Sequence, residues 1–225
     1  MLTGGNPATD TIDKVEKKVL LLDVCHTLYH SNTTFDFLAW YFSDNPAYQS
    51  LAKKRSSTLN RICARLGFKD HIREHAVGLL KGIPRQKLES AAVSFASTLR
   101  PIDPIQAALR NFKEQGYEPI LLSSSLDFIV LAVAKQLDIH SIHATELNYQ
   151  DSVCSGTIKH DLLNTKAQII KTRYAGLESV FITDNRTDLN CASEVSKFIA
   201  VFHSKDSGNA NFWHRHGIRD TLTYG

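Results

Sequence analysis

The sequence predicts an α/β fold, a doubly wound parallel sheet with an all-helical segment inserted after its first strand. Three observations carry this expectation. Apolar runs of strand length recur along the chain: Val19-Leu20-Leu21-Leu22, Pro119-Ile120-Leu121-Leu122, Ser141-Ile142-His143-Ala144, Val180-Phe181-Ile182 and Phe198-Ile199-Ala200-Val201. Runs without polar alternation suit strands buried on both faces. Between them, residues 126–137 and 166–174 are apolar at helical spacing, and strands alternating with helices give Rossmann-like winding. Residues 34–99 break this rhythm, with several helical patterns and no convincing strand.

In chain order, residues 1–16 are polar and rich in Gly, Thr and Pro, which predicts a flexible tail without the basic start and apolar stretch of a secretory signal. Residues 17–33 and 100–225 are assigned to the α/β core and residues 34–99 to a helical cap. A helix over 102–115 is stopped by Gly116, which returns the chain to the sheet. Residues 147–158, polar and containing Gly156, predict a loop or short hairpin, and Phe212-Trp213 predicts packing within a late helix. With 225 residues, 43% of them hydrophobic, the chain can bury a real core. A net charge of +3 spread in short basic groups does not point to nucleic acid. No run of about 18 apolar residues is present, so no membrane span is expected. Cys25, Cys63, Cys154 and Cys191 form no Cys-x-x-Cys pair, and a reducing, cytoplasmic compartment is the simplest expectation. Nothing in the sequence fixes an oligomeric state.

In open α/β sheets, ligands bind beyond the carboxyl ends of the strands. The first strand ends there in Asp23-Val24-Cys25-His26-Thr27, the second in Ser123-Ser124-Ser125, and the fourth in Asp184-Asn185-Arg186-Thr187-Asp188. Carboxylates gathered at one edge repel unless a proton or cation separates them, and oxygen ligation by one or two carboxylates suits Mg²⁺. Ser124 and Asp127 have capping-box spacing, which predicts a helix N-terminus that seats an anion. Ser123 would add a hydroxyl, and Lys166 a compensating charge. Other readings stay open at this point: Asp23, Asp188 and the serines also suit plain capping, Lys159 or Lys171 can replace Lys166, and Cys25 suits a small buried filler. His71-Ile72-Arg73-Glu74-His75 formally fits a zinc-protease pattern, but it is short and has no third ligand nearby.

The order Asp23…Thr27, Ser123, Lys166, Asp184…Asp188 resembles the four motifs of the haloacid dehalogenase superfamily, over residues 20–201. The helical insertion, Thr33-Thr34-Phe35-Asp36-Phe37-Leu38 and residues 156–166 resemble its phosphoserine phosphatase branch, with a helical cap. The resemblance implies that Asp23 attacks phosphorus in a small phosphorylated metabolite and becomes an aspartyl phosphate, which water cleaves. It implies Mg²⁺ held by the Asp23 carboxylate, the Cys25 carbonyl and Asp184, with Asp188 orienting the shell, and Ser123, Ser124 and Lys166 on the transferring group. The chain departs from the family twice. Cys25 stands where its phosphatases carry a general-acid aspartate, a function typically worth 10²–10⁴ in rate, and His26 is the nearest group that titrates in the useful range. Asn32 stands where phosphoserine phosphatases carry a glutamate for the substrate amine. Arg55, Arg61, Arg65 and Arg85 are expected as unranked substrate contacts from the cap. Alternatives are a protein that binds a phosphate-bearing ligand with weak or no turnover, and an Asp-nucleophile hydrolase whose substrate, a phosphonate or anhydride, needs no acid.

Overall fold

The computed structural model describes residues 17–55 and 71–225. The expected tail over 1–16, Arg61, Cys63 and Arg65, and the side chains of Arg55 and His71, lie outside the described residues. Seven strands form one sheet: β1 (Lys18–Leu22), β2 (Tyr117–Leu126), β3 (Ser141–Gln150), β4 (Val153–His160), β5 (Glu178–Thr183), β6 (Lys197–His203) and β7 (Thr221–Tyr224). Their order is β4-β3-β2-β1-β5-β6-β7. All neighbours are parallel except the β3–β4 hairpin.

Strand β1 sits at the centre, with Leu21 opposite both Ile120 and Phe181. Its side chains alternate faces: Leu20 and Leu22 enter one hydrophobic cluster, and Val19 and Leu21 the other. This is why the run is apolar at every position.

The helices are α1 (Thr33–Tyr41), α2 (Pro46–Arg55), α3 (His71–Gly78), α4 (Arg85–Ala96), α5 (Asp103–Glu114), α6 (Asp127–Gln136), α7 (Lys166–Arg173) and α8 (Ser207–Arg215). Helices α1 to α4 stand between β1 and β2 in the chain. Their apolar faces join the cluster on one side of the sheet, where Phe37 meets Phe95 at 5.5 Å and Phe128 of α6 at 5.1 Å between ring centroids. Helix α6 is apolar nearly all round because it lies between the sheet and these helices, with Phe128 to Val130 and Ala132 to Ala134 buried. Helix α5 has Pro104 in its first turn and ends before Gly116, whose φ of 84° only glycine adopts without strain.

The chain leaves and re-enters the core region side by side. Tyr29 bridges Pro101, His30 N–H donates to the Arg100 carbonyl (3.0 Å), and Ile102 N–H donates to the Leu28 carbonyl (3.0 Å). A second set of backbone bonds ties the segment between α3 and α4 to the hairpin. Gly82 N–H donates to the Cys154 carbonyl (2.8 Å), Cys154 N–H to Ile83 (2.9 Å) and Arg85 N–H to Ser152 (2.8 Å).

Three expectations need correction. Strand β2 does not stop before the serines but continues through Leu126, which keeps extended dihedrals (φ −69°, ψ 142°). Helix α6 therefore starts at Asp127 with no side-chain cap, and the Ser124–Asp127 capping box does not form. A seventh strand, β7, closes the far edge unforeseen, whereas residues 147–158 form a hairpin, the second of the two forms expected, from the ends of two long strands.

Candidate active site

Strand β1 delivers Asp23 to the carboxyl edge, where only 3% of it is exposed. Its N–H donates to the Ile182 carbonyl (3.0 Å), so the pairing with β5 runs one residue past the strand and fixes the backbone. Val24 N–H donates to Asp23 Oδ1 (2.7 Å) and Lys166 Nζ to Oδ2 (2.7 Å). After Val24 the chain turns through exposed His26 in the left-handed region (φ 51°), closed by His26 N–H to the Ser31 carbonyl (3.1 Å) and Leu28 N–H to the Val24 carbonyl (3.1 Å). The turn brings the Thr27 hydroxyl to Asp184, donating to its Oδ1 (3.0 Å) and accepting from its N–H (3.0 Å).

Lys166 stands at the start of α7 with its ammonium enclosed, donating to Asp23 and to Asp188 Oδ2 at 2.7 Å each. Burial alone pulls its pKa down. The charges of Asp23 and Asp188 more than offset this, and the net displacement is upward. Burial pushes the Asp188 carboxyl up against the opposing pull of Lys166, and the Thr183 hydroxyl also donates to Asp188 Oδ2 (2.7 Å). Lys159 is exposed and paired with Glu146 at 3.5 Å, and Lys171 lies in the exposed last turn of α7. Asn185, not Asp188, caps the 3-10 turn Arg186–Cys191, accepting from Thr187 N–H.

Asp184 is partly buried, and its carboxyl is pushed up to about 7, by burial first and then by the charge of Asp23. Unlike Asp23, it has no ammonium in hydrogen-bond contact among the described residues. Among those residues no three His, Cys, Asp or Glu side chains gather as a ready-made metal site. The donors on offer are the Asp23 and Asp184 carboxylates with backbone carbonyls at the turn. That set fits Mg²⁺, which takes one or two carboxylates and keeps several waters, and a cation there would relieve the pressure that raises the Asp184 pKa.

These groups open on a cavity of about 280 Å³, whose lining includes Asp23, Cys25, His26, Arg73, Ser124 and Asp184. Ser124 and Ser125 line it, whereas Ser123 is fully buried, its hydroxyl accepting from Ser125 N–H (3.3 Å). The Cys25 thiol shares a hydrogen bond with Thr33 Oγ1 (3.1 Å), and the Thr33 hydroxyl donates to Ser125 Oγ (2.7 Å), which also meets Thr34 Oγ1 (3.0 Å). Burial, then the charge of Asp23, raises the Cys25 thiol to about 11. Asn32 borders the cavity, and its side chain caps α1, accepting from Phe35 N–H (3.4 Å).

Arg85 is away from this cavity. It pairs with Glu89 (2.8 Å), lies 5.1 Å from the Tyr149 ring centroid and lines a different cleft beside the hairpin. Among the described residues, Arg73 is the arginine that lines the Asp23 cavity. It lies between the two histidines of the formal zinc pattern, and nothing local in the sequence marks it as a site residue. His75 of that pattern is exposed.

Similarity to known proteins agrees with this geometry. The profile of the haloacid dehalogenase-like hydrolases matches residues 20–193. A protein of unknown function from Bordetella pertussis Tohama I superimposes with a TM-score of 0.75 at 17% identity, covering 92% of this chain and 98% of its own. A phosphoserine phosphatase solved as a phospho-aspartyl intermediate analogue gives 0.63 at 20% identity (92% and 93% covered). Cytosolic 5'-nucleotidase IIIB bound to cytidine gives 0.60 at 15% (92% and 80% covered). No curated protein matches the sequence itself. With a family profile spanning most of the chain, and with Asp23, Lys166, Asp184 and Asp188 converging at the carboxyl ends of β1 and β5, this chain belongs to the haloacid dehalogenase-like hydrolases.

Proposed function

We propose that the chain is a Mg²⁺-dependent phosphohydrolase that cleaves a small phosphorylated metabolite through an aspartyl phosphate on Asp23. One observation carries this reading: a buried aspartate at the central strand end, held at 2.7 Å by a buried lysine, faces a cavity that a second carboxylate borders. Asp23, Asp184 and the Cys25 carbonyl would hold Mg²⁺, with Asp188 keeping Lys166 in place. When bound, the ion supplies positive charge to the non-bridging phosphate oxygens. An Asp23 carboxylate oxygen attacks phosphorus, and the bond to the leaving alcohol oxygen breaks. Water then attacks the same phosphorus and releases phosphate and the free carboxylate. Lys166 fixes the carboxylate and offsets negative charge as it develops, and Ser124 and Ser125 border the space for the phosphate.

Cys25 favours a qualified form of this reading. Its thiol is bonded to Thr33 and raised to about 11, so it offers no base at neutral pH. Proton transfer falls to His26 or solvent, and substrates whose leaving group is stable as an anion are preferred. The test is Mg²⁺-dependent release of phosphate from p-nitrophenyl phosphate and from alkyl phosphates. The aryl ester is expected to turn over about tenfold or more faster, and Asp23→Asn, nearly isosteric, abolishes both while the fold persists. Equal rates on the two esters would remove the argument from Cys25. Full activity in Asp23→Asn would remove the nucleophile.

A further inference from the structure

Arg73 occupies a place that the four-residue chemistry leaves unexplained. It projects from α3 of the inserted helices and only 6% of it is exposed. Its Nη1 donates to both carboxylate oxygens of Asp161, at 2.8 and 2.7 Å, and its Nη2 donates to the Ser124 carbonyl (2.7 Å) and to Thr145 Oγ1 (3.0 Å). The Thr145 hydroxyl donates in turn to the Ser124 carbonyl (2.9 Å). It also accepts from Leu162 N–H (3.2 Å), while Asp161 Oδ1 accepts from Leu163 N–H (2.9 Å). One guanidinium thus reaches three separate parts of the chain: the inserted helices, the cavity end of β2, and the loop that runs from Asp161 into Lys166.

The two ends it holds are those that matter for phosphate. The Ser124–Ser125 peptide plane is fixed by the two donors on its carbonyl, and Ser124 and Ser125 line the cavity. The loop amides at Leu162 and Leu163 are fixed by Thr145 and Asp161, four and three residues before Lys166. Both oxygens of Asp161 are engaged by Arg73, and both terminal nitrogens of Arg73 are engaged by protein. This guanidinium is therefore committed to structure. A lysine, a point charge with no planar fork, cannot serve three acceptors on two sides at once.

We infer that Arg73, locked by Asp161, is a positioning residue: it sets the Ser124–Ser125 peptide and the Lys166 loop in the geometry that phosphoryl transfer needs, without touching substrate. The inference rests on the phosphohydrolase reading for its kinetic arm and on geometry alone for its second arm. In the experiment, Arg73→Ala, Arg73→Lys and Asp161→Asn are compared with the parent by p-nitrophenyl phosphate turnover with Mg²⁺, and by amide hydrogen exchange over residues 121–126 and 160–167. Circular dichroism confirms folding, and Asp161→Asn carries the test if the Arg73 variants do not fold. The expected result is a kcat about 10- to 100-fold lower in Arg73→Ala and Asp161→Asn, as for lost supporting contacts. KM changes less than about threefold, because substrate contacts remain. Exchange rises in both segments, and Arg73→Lys restores part of the rate. A parent-like kcat with parent-like exchange would overturn the inference, and so would a rise in KM alone, which would make Arg73 a substrate contact. If the parent itself shows no turnover, the phosphohydrolase reading fails separately. Exchange then decides: raised exchange in both segments upholds the strut, and unchanged exchange overturns it.

Discussion

At Cys25 a hydroxyl network stands where a second carboxylate would do proton chemistry. The thiol is bonded to Thr33, whose own hydroxyl proton goes to Ser125, so the side chain at position 25 is held beside the cavity. An aspartate placed there would meet the Thr33 backbone N–H, which favours its ionised form and suits it to activate water after the first transfer. Cys25→Asp is therefore expected to raise phosphatase turnover by about ten- to a thousandfold where chemistry limits the rate. His26 lines the same cavity from a left-handed turn position, and His26→Ala is expected to cost the parent most of its rate and the Cys25→Asp variant little. Steady-state kinetics on one alkyl phosphate decides the matter. If neither substitution changes turnover, proton transfer never limited it, and a substrate with a self-sufficient leaving group, a phosphonate or anhydride, becomes the better reading.

At the level of elements, the hairpin β3–β4 packs against the inserted helices, and Gly156 lies where the two come close. Its φ is 73°, and a Cβ there would stand 2.9 Å from Lys81 Cβ and 3.0 Å from the Gly78 carbonyl oxygen. Gly156→Ala is expected to cost about 1–3 kcal/mol, lowering the melting temperature by roughly 3–10 °C. A calorimetric scan matching the parent would show that hairpin and helices are not pressed together. The two covalent crossings at Tyr29 and Pro101 are thus supplemented by backbone bonds and a shared apolar cluster, and any closing motion must carry the hairpin or break those bonds. The strands that form the buried middle of the sheet were legible because burial on both faces demands apolar residues at every position. The extension of β2 through three serines was not, since nothing local favours a strand there and Leu126 is held by pairing with Thr145 of β3. Strand β7 offers only Thr-Leu-Thr-Tyr at an edge. The aspartates and Lys166 were legible as an ordered set of strand-end and helix-start residues. Arg73 was not, because its partner Asp161 lies 88 residues away and no spacing rule connects them.

For the whole molecule, the carboxylates at the sheet edge tie the stability of the fold to pH and, under the proposed function, to Mg²⁺. A raised carboxyl pKa means that folding favours the protonated form: the associated stability is complete below the unfolded value near 3.9 and is lost as pH rises through the folded value. For Asp184 that folded value is about 7. Metal-free protein is therefore expected to melt lower at pH 8 than at pH 5.5 on account of this group, and Asp184→Asn to gain more at pH 8 than at pH 5.5, where only part of the loss has yet occurred. Mg²⁺ at a hundred times its dissociation constant stabilises by about 2.7 kcal/mol, or roughly 5–10 °C, and Asp184→Asn forfeits that gain. Thermal melts in chelator and in Mg²⁺ check both halves, and an unchanged Mg²⁺ shift in Asp184→Asn would take the ion away from Asp184. The central place of β1 has a further consequence, for the order in which the chain assembles. Lys18–Leu22 pairs with Tyr117–Leu121 on one side and with Glu178–Ile182 on the other, so during synthesis β1 waits about a hundred residues for one neighbour and some sixty more for the second. Contacts so distant in sequence bear a high closure entropy before they return any energy. The nascent protein must therefore keep this apolar strand from foreign partners while the helices that follow collapse around it, and Asp23 becomes fixed only when nearly the whole hydrolase domain has been made.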